Sequence, residues 1–428
     1  MSSPLRLGIA GLGTVGVGVI KIVRQKAALL EARTGRQIVI TAVSARSRDK
    51  DRGVPIGDYA WEDDPVALAK RDDVDVFVEL MGGSDGPAKA ATEAAIAAGK
   101  DVVTANKAML ALNGQALAEQ AEAAGRTIRF EAAVAGGIPI IKSLTESLAG
   151  NDIQRVMGVM NGTCNYILTR MENAGLPYEE VFEEANKLGY LEADPTLDVG
   201  GTDAGHKLAL LSSIAFGTKV NFEGIELEGI ERISIADIRH AADMGFRIKL
   251  LGVAQMTGRG LEQRMSPCLV PATSPLGQLE NATNMVVVEG DAVGQVVLRG
   301  AGAGEGPTAS AVMGDVCDIA RGLSIPVFGQ SAATLTDAPA AKAATPAPYY
   351  LRMELKDKPG ALARVAKVLG EAGISIDRMR QRGHDEETAP VLIVTHKTTR
   401  ANLDAAIASF EETDVVVTAP VALRIENV

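Results

Sequence analysis

The chain has 428 residues, 46% of them hydrophobic and 23% charged, which is long enough for two to four globular domains and too apolar for a disordered chain. With 43 Lys+Arg against 54 Asp+Glu the net charge is −11, which argues against a general polyanion binder, because nucleic-acid affinity rests on a basic footprint. The 3 cysteines, Cys164, Cys268 and Cys317, lie far apart without a CxxC pair and support neither a disulfide framework nor a zinc cluster. No apolar run reaches the roughly 18 residues of a membrane span. The apolar start Leu5–Ile20 is punctuated by glycines and lacks a basic leader, so a cytoplasmic protein is expected, with neither nucleic acid nor membrane as partner.

In chain order, strands are predicted at Leu5–Ala10, Ile38–Ser44, Val74–Leu80, Asp101–Thr104 and Thr127–Val134. Helices are predicted between them at Val15–Ala32, Pro65–Lys70, Pro87–Ala98 and Ala116–Ala124. Such alternation implies a parallel sheet covered on both faces over residues 1–142. From residue 143 to 330 the rhythm changes. Helices at Ile141–Ala149, Ile167–Ala174, Tyr178–Leu188 and Asp203–Phe216 mix with strands at Ile153–Val159, Leu250–Met256, Ser266–Val270, Asn284–Val288 and Gln295–Arg299. This is an α+β unit whose last helix is a candidate to return to the first domain. Residues 331–348 have the Ala/Thr/Pro/Asp/Lys composition of a linker. Residues 349–428 spell βαββαβ, the ferredoxin-like arrangement, with strands at Tyr349–Leu355, Ser375–Arg382, Pro390–His396 and Val415–Ile425 and helices at Ala361–Ala372 and Thr399–Phe410.

Gly11-Leu12-Gly13-Thr14-Val15-Gly16 is a G-x-G-x-x-G loop between a predicted strand and a predicted helix. It suits a dinucleotide, whose pyrophosphate sits on the amides of the helix start. The second strand ends without the acid that a ribose 2′-hydroxyl attracts and is followed by Arg46, Arg48 and Lys50. That pattern favours the 2′-phosphate of NADP, although NAD and a merely solvated basic loop stay open. Lys107 follows the strand end at Thr104, where ligands bind in open α/β sheets. Glu131 through Gly136-Gly137-Ile138-Pro139 offers one carboxylate and several turn carbonyls, a set that suits either a hard monovalent cation or a plain turn. The polar turn Asn161-Gly162-Thr163-Cys164 has no histidine nearby in sequence, which removes Cys164 as a nucleophile. The densest segment runs from Gly189 through Glu192, Asp194 and Asp198 to Asp203 and Lys207, the last two one helical turn apart.

Together these segments resemble homoserine dehydrogenase, in the family's order, over residues 5–330, with Gly300–Ser310 adding a late glycine loop. The tail resembles an ACT domain, with Asp357-Lys358-Pro359-Gly360 at its first turn. The resemblance implies an N-terminal Rossmann domain, a central catalytic and dimerisation domain and a C-terminal ACT regulatory domain. It also implies NAD(P)-dependent interconversion of L-aspartate 4-semialdehyde and L-homoserine, on the route to threonine, isoleucine and methionine. Carried over by position, Lys207 is the proton donor, with Lys107 able to share that role, and Asp203 completes the catalytic set. Glu192, Asp198, Asp203 and Lys107 hold substrate. Gly11, Leu12, Gly13, Thr14, Val15, Gly16, Arg46, Thr104, Lys107, Gly189 and Gly304 contact the cofactor, and Glu131, Val134, Gly136 and Ile138 hold a sodium-type cation. Gly205 stands where alanine is usual, on a helix expected to be capped by Thr202. An effector such as L-threonine is expected at Asp357, Gly360 and Asp377, in a homodimer or homotetramer. Two other readings remain in view: a dehydrogenase of another small amino or hydroxy acid, and a non-catalytic amino-acid sensor.

Overall fold

The computed structural model describes residues 3–191, 194–341, 344–381 and 387–428. The first sheet is wholly parallel, in the order Ala60–Glu62, Ile38–Ser44, Leu5–Ala10, Val76–Glu79, Asp101–Thr104, Ile128–Arg129. This is the doubly wound order with its switch point beside the first strand, where a crevice for ligand opens at the carboxyl ends. Its strands are near-continuous apolar runs because helices cover both faces. The helix Glu305–Ala320 packs back against Thr14–Gln25, sharing a core in which Val312 and Val316 meet Ile9, Val19 and Ile20.

The second sheet is mixed. Gly294–Ala301, Thr283–Gly290, Ile153–Val159, Phe246–Thr257 and Gly260–Pro271 form its antiparallel half. The ACT strands follow in the order Val421–Ile425, Tyr349–Lys356, Thr388–Thr395, Ile376–Gln381. The two halves join because Val421–Ile425 lies parallel to Gly260–Pro271, pairing Cys268 with Arg424 and Leu269 with Ile425. One edge of the ACT sheet is therefore occupied within the chain, and Ile376–Gln381 forms the other. The segment expected as a linker lies against the body: Ala332 N donates to Glu122, and Thr336 and Ala340 bridge to Thr218 and Leu261.

Several elements differ from expectation for identifiable reasons. The helix after the strand Asp101–Thr104 starts at Lys107, not Ala116, because the Asn106 side chain accepts from Met109 N at 3.1 Å and caps it. Thr127–Val134 gives only a two-residue strand, Ile128–Arg129. The Glu131 carboxylate accepts from Ile141 N at 3.0 Å and Lys142 N at 2.8 Å, and the segment winds into a 3₁₀ turn. The predicted helix Ile141–Ala149 is a short α turn followed by a π turn over Ser143–Ser147, widened where Ser143 and Thr145 hydroxyls donate to carbonyls one turn back. Val15–Ala32 divides at Lys26 into Thr14–Gln25 and Ala27–Thr34. The last strand begins at Val421, after Pro420. The helix Thr202–Phe216 is capped by the left-handed Gly201 with no side-chain bond, so Thr202 is its first residue, not its cap. The helix Ile235–Asp243, opened by a Ser234/Asp237 capping box, was not anticipated.

Candidate active site

The glycine loop does what its spacing requires. Gly11 has φ 101°, and a Cβ there would stand 2.4 Å from the Leu80 carbonyl, while one on Gly16 would stand 2.1 Å from that of Gly11. A Cβ on Gly13, the helix N-cap, would meet nothing within 4 Å, and no side chain caps that helix. The start of this 12-residue helix, with Gly13 and Thr14 exposed and no side chain over its first amides, has the chemistry that an anion requires. Beside it, Arg46, Arg48 and Lys50 are exposed. Arg52, which the sequence did not single out, buckles their loop, donating to the carbonyls of Lys50 at 2.8 Å and of Leu12 at 3.2 Å. Arg48 and Arg52 also lie 5.8 and 5.9 Å from the Trp61 ring. Glu79, likewise missed, is fully buried at the end of its strand. It accepts from Thr104 Oγ1 at 2.6 Å and from Met81 N at 2.7 Å, and burial pushes its carboxyl up. Thr104 is thereby a buried support for the strand end, and the signal was an acid closing an apolar run.

Across the crevice lies a cleft of about 490 Å³, lined among others by Val15, Lys107, Asn161, Asp198, Asp203 and Lys207. Two strand ends deliver its polar wall. One leads into Asn106 and Lys107, and the other, Ile153–Val159, leads into Asn161, whose side chain caps the helix Gly162–Ala174 by accepting from Cys164 N at 2.8 Å. At the centre Asp203 is buried between two ammonium groups, with Lys107 Nζ 2.8 Å from Oδ1 and Lys207 Nζ 2.7 Å from Oδ2. Asn161 Nδ2 donates to Asp198 at 2.9 Å and to Asp203 at 3.3 Å, and Lys207 Nζ also donates to the Met160 carbonyl at 2.8 Å. Burial pushes the Asp203 carboxyl up, but Lys207 and Lys107 outweigh it and hold it well below the usual carboxylate range. Burial lowers the neighbouring His206, whose ring centroid lies 4.3 Å from that of Phe222. The Cys164 thiol is buried, donates to the Asp198 carbonyl and is pushed well up, which makes it inert.

Gly189 (φ 75°) and Gly304 (φ 122°) border the same cleft, the second as the uncapped start of Glu305–Ala320. Glu192 lies outside the described residues. Ala135 and Gly136, both left-handed (φ 55° and 49°), wrap the Glu131–Ile138 turn. Within it the Ile138 carbonyl accepts from Ile140 N at 2.8 Å, while both oxygens of the buried Glu131 carboxylate hold amides. One carboxylate with main-chain oxygens is the kind of donor set a hard monovalent cation takes, and here those oxygens are held by amides of the same segment. Among the described residues no cluster of three or more His, Cys, Asp or Glu fits a metal ion. The structure does not bring the effector residues together. Asp357 and Gly360 follow the carboxyl end of Tyr349–Lys356, where Leu355 pairs with Ala389. Asp377 lies where Ile376 pairs with Thr395, six residues and roughly 20 Å away along the shared strand. No helix among the described residues is long and apolar enough to cross a membrane.

Comparison with known proteins gives the family. Residues 11–131 match the homoserine dehydrogenase NAD-binding domain, 139–317 the homoserine dehydrogenase catalytic family and 349–414 the ACT domain. The homoserine dehydrogenase of Neisseria gonorrhoeae is 43% identical, over 99% of each chain. The crystal structure of a homoserine dehydrogenase from Thiobacillus denitrificans superposes with TM-score 0.94 at 40% identity, covering 99% of each chain. A hyperthermophilic archaeal homoserine dehydrogenase in complex with NADPH matches 75% of this chain and 99% of its own, with TM-score 0.64 and 28% identity. With its parallel nucleotide-binding sheet, its mixed central sheet and its ACT domain, the chain belongs to the homoserine dehydrogenase family of NAD(P)-dependent oxidoreductases.

Proposed function

We propose that the chain reversibly reduces L-aspartate 4-semialdehyde to L-homoserine and that Lys207 gives the aldehyde oxygen its proton. The observation that carries this is the Lys107–Asp203–Lys207 group, a buried carboxylate between two partly exposed lysines at the wall of a cleft that also meets the glycine loop. The nicotinamide, when bound, supplies or accepts the hydride. Lys207 has three N–H groups, of which two are engaged by Asp203 and the Met160 carbonyl, which leaves a third for a substrate oxygen in the cleft that Lys207 lines. An ammonium there both donates the proton and offsets charge developing on the alkoxide. Asp203 stays ionised throughout, fixing both lysines and receiving the substrate hydroxyl. Glu192 and Asp198 serve the amino end, and Lys107 sits close enough to share the proton transfer.

The exposed Arg46, Arg48 and Lys50 support NADP over NAD, with Gly11, Leu12, Gly13, Thr14, Val15 and Gly16 under the pyrophosphate and Lys107, Gly189 and Gly304 around the rest, while the buried Thr104 acts only behind them, through the strand end. Glu131, Val134, Gly136 and Ile138 support a sodium-type cation that steadies the turn below the cleft. The ACT unit points to L-threonine control. With Asp377 remote from Asp357 and Gly360 in one chain, a second copy must complete such a site, which fits a homodimer or homotetramer. Three free cysteines fit a reducing, cytoplasmic setting. The functional units run over residues 1–142, 143–330 and 349–428. Purified protein mixed with L-homoserine and NADP should generate reduced nicotinamide, seen by its absorbance. No turnover with either NADP or NAD rejects the substrate assignment.

A further inference from the structure

One residue of the cleft has no place in this scheme. Asn284, in the strand Thr283–Gly290, lines the cleft and is 1% exposed, yet neither Oδ1 nor Nδ2 has a hydrogen-bond partner among the described residues. Folded proteins almost always pair buried carboxamides, because each unpaired atom has lost its water without replacement. The backbone around Asn284 is shaped to admit it. A Cβ on Gly302 would stand 2.1 Å from Nδ2 and 2.5 Å from Oδ1, and one on Gly162 would stand 3.4 Å from Oδ1. The carboxamide therefore lies between the turn that carries Asn161, the partner of Asp203, and the glycine loop that starts the returning helix.

We propose that Asn284 binds the carboxamide of the nicotinamide ring, donating from Nδ2 to its carbonyl and accepting at Oδ1 from its amino group. This rests on the NAD(P) dependence of the family and adds a cofactor-orienting residue on the central domain, opposite the Rossmann half. A primary amide donates and accepts at once, so a single group satisfies both orphan atoms. A substrate carboxylate answers only Nδ2 and a substrate ammonium only Oδ1, so an amino acid must bring both groups to the one carboxamide, where the ring amide needs a single planar group. The requirement for glycine at 302 follows, since any side chain there would displace the amide from its seat.

The test is binding without turnover. Titration calorimetry measures NADP and its 3-acetylpyridine analogue, which keeps the carbonyl but carries methyl in place of the amino group, on the wild type, Asn284→Leu and Asn284→Ala. The wild type should bind the analogue about three- to tenfold more weakly, the scale of one lost hydrogen bond. Both variants should bind the two cofactors alike. Ligand-free Asn284→Leu should melt no lower than the wild type, since it deletes an unpaired amide, and Asn284→Ala carries the test if leucine does not fit. Variants that keep the discrimination, or a wild type that shows none, overturn the assignment. So does a variant weakened toward homoserine alone. A wild type that binds cofactor but does not oxidise homoserine counts against the substrate reading and leaves the calorimetric result standing.

Discussion

Two buried carboxylates in this molecule are each surrounded by cations, and they have opposite fates. Asp203 sits between Lys107 and Lys207 at the wall of an open cleft. Glu426 sits among Arg155, Arg264 and Arg424 at the seam where the ACT strand joins the central sheet, with one oxygen 2.7 Å from Arg155 and the other holding Arg264 and Arg424. In both, burial pushes the carboxyl up and the cations more than reverse it. The cation type decides the use. Lysine can release a proton and has a third donor to turn toward a substrate. Arginine keeps its charge and locks planar, multidentate bonds. The first cluster is suited to chemistry and the second to fastening a domain.

The largest expected effect breaks the fastening. Glu426→Ala leaves three arginines at the seam without their shared anion, two of them almost wholly buried, and should cost about 3–5 kcal/mol of stability, read by chemical denaturation. Removing the whole ACT unit should do at least as much damage, because it also uncovers the edge of Gly260–Pro271. A test of effector control therefore belongs in the full chain. Next comes Lys207→Ala, which should lower kcat by roughly 10² or more, the low end for a lost general acid, while the melting temperature stays near wild type. Nearly full turnover at neutral pH would transfer the proton to Lys107.

Both carboxylates also set an acid limb. Each is held below its unfolded value, so the stability each contributes is complete above about pH 5 and is lost progressively as pH falls through the unfolded value toward the lower folded one. Unfolding should sharpen with acid in the wild type. In Glu426→Ala the slope should be shallower by up to one proton, while in Lys207→Ala it changes less because Lys107 remains beside Asp203.

The two clusters differ equally in how far they could be read in advance. Asp203 and Lys207 are four residues apart on one helix, and Lys107 closes a strand-to-helix motif, so local spacing brought each of them to notice. Only the fold makes them one group. Glu426 finds Arg155 and Arg264 across 271 and 162 residues, and nothing near it in sequence marks it. The same holds for Arg52, whose bond to the Leu12 carbonyl spans 40 residues, and for Asn284, whose signal is the lack of a partner. Helix limits failed where a side chain took over a backbone role, as with Asn106, Glu131 and Thr145. The four central strands of the parallel sheet, short apolar runs with regular crossovers, were legible, whereas the edge strand Ala60–Glu62, only three residues and half-buried, was not.

The smallest effect sharpens the comparison by adding a third cationic group, this time in water. Arg46, Arg48 and Lys50 ring the end of the second strand, and all are exposed. Arg52 and Trp61 brace the loop from below, so the charges are held in place without being desolvated. An exposed guanidinium facing a phosphate is screened by solvent and salt, which caps its worth well under that of the buried clusters. Arg46→Ala should therefore weaken NADP binding by about tenfold at most, leave NAD binding within about twofold, and change neither the melting temperature nor kcat at saturation. Raising the salt concentration should narrow the gap between wild type and variant for NADP alone, because only the 2′-phosphate contact is screened. Equal losses for NADP and NAD would mean that Arg46 supports the glycine loop, and a wild-type preference for NAD would remove the 2′-phosphate from this loop altogether.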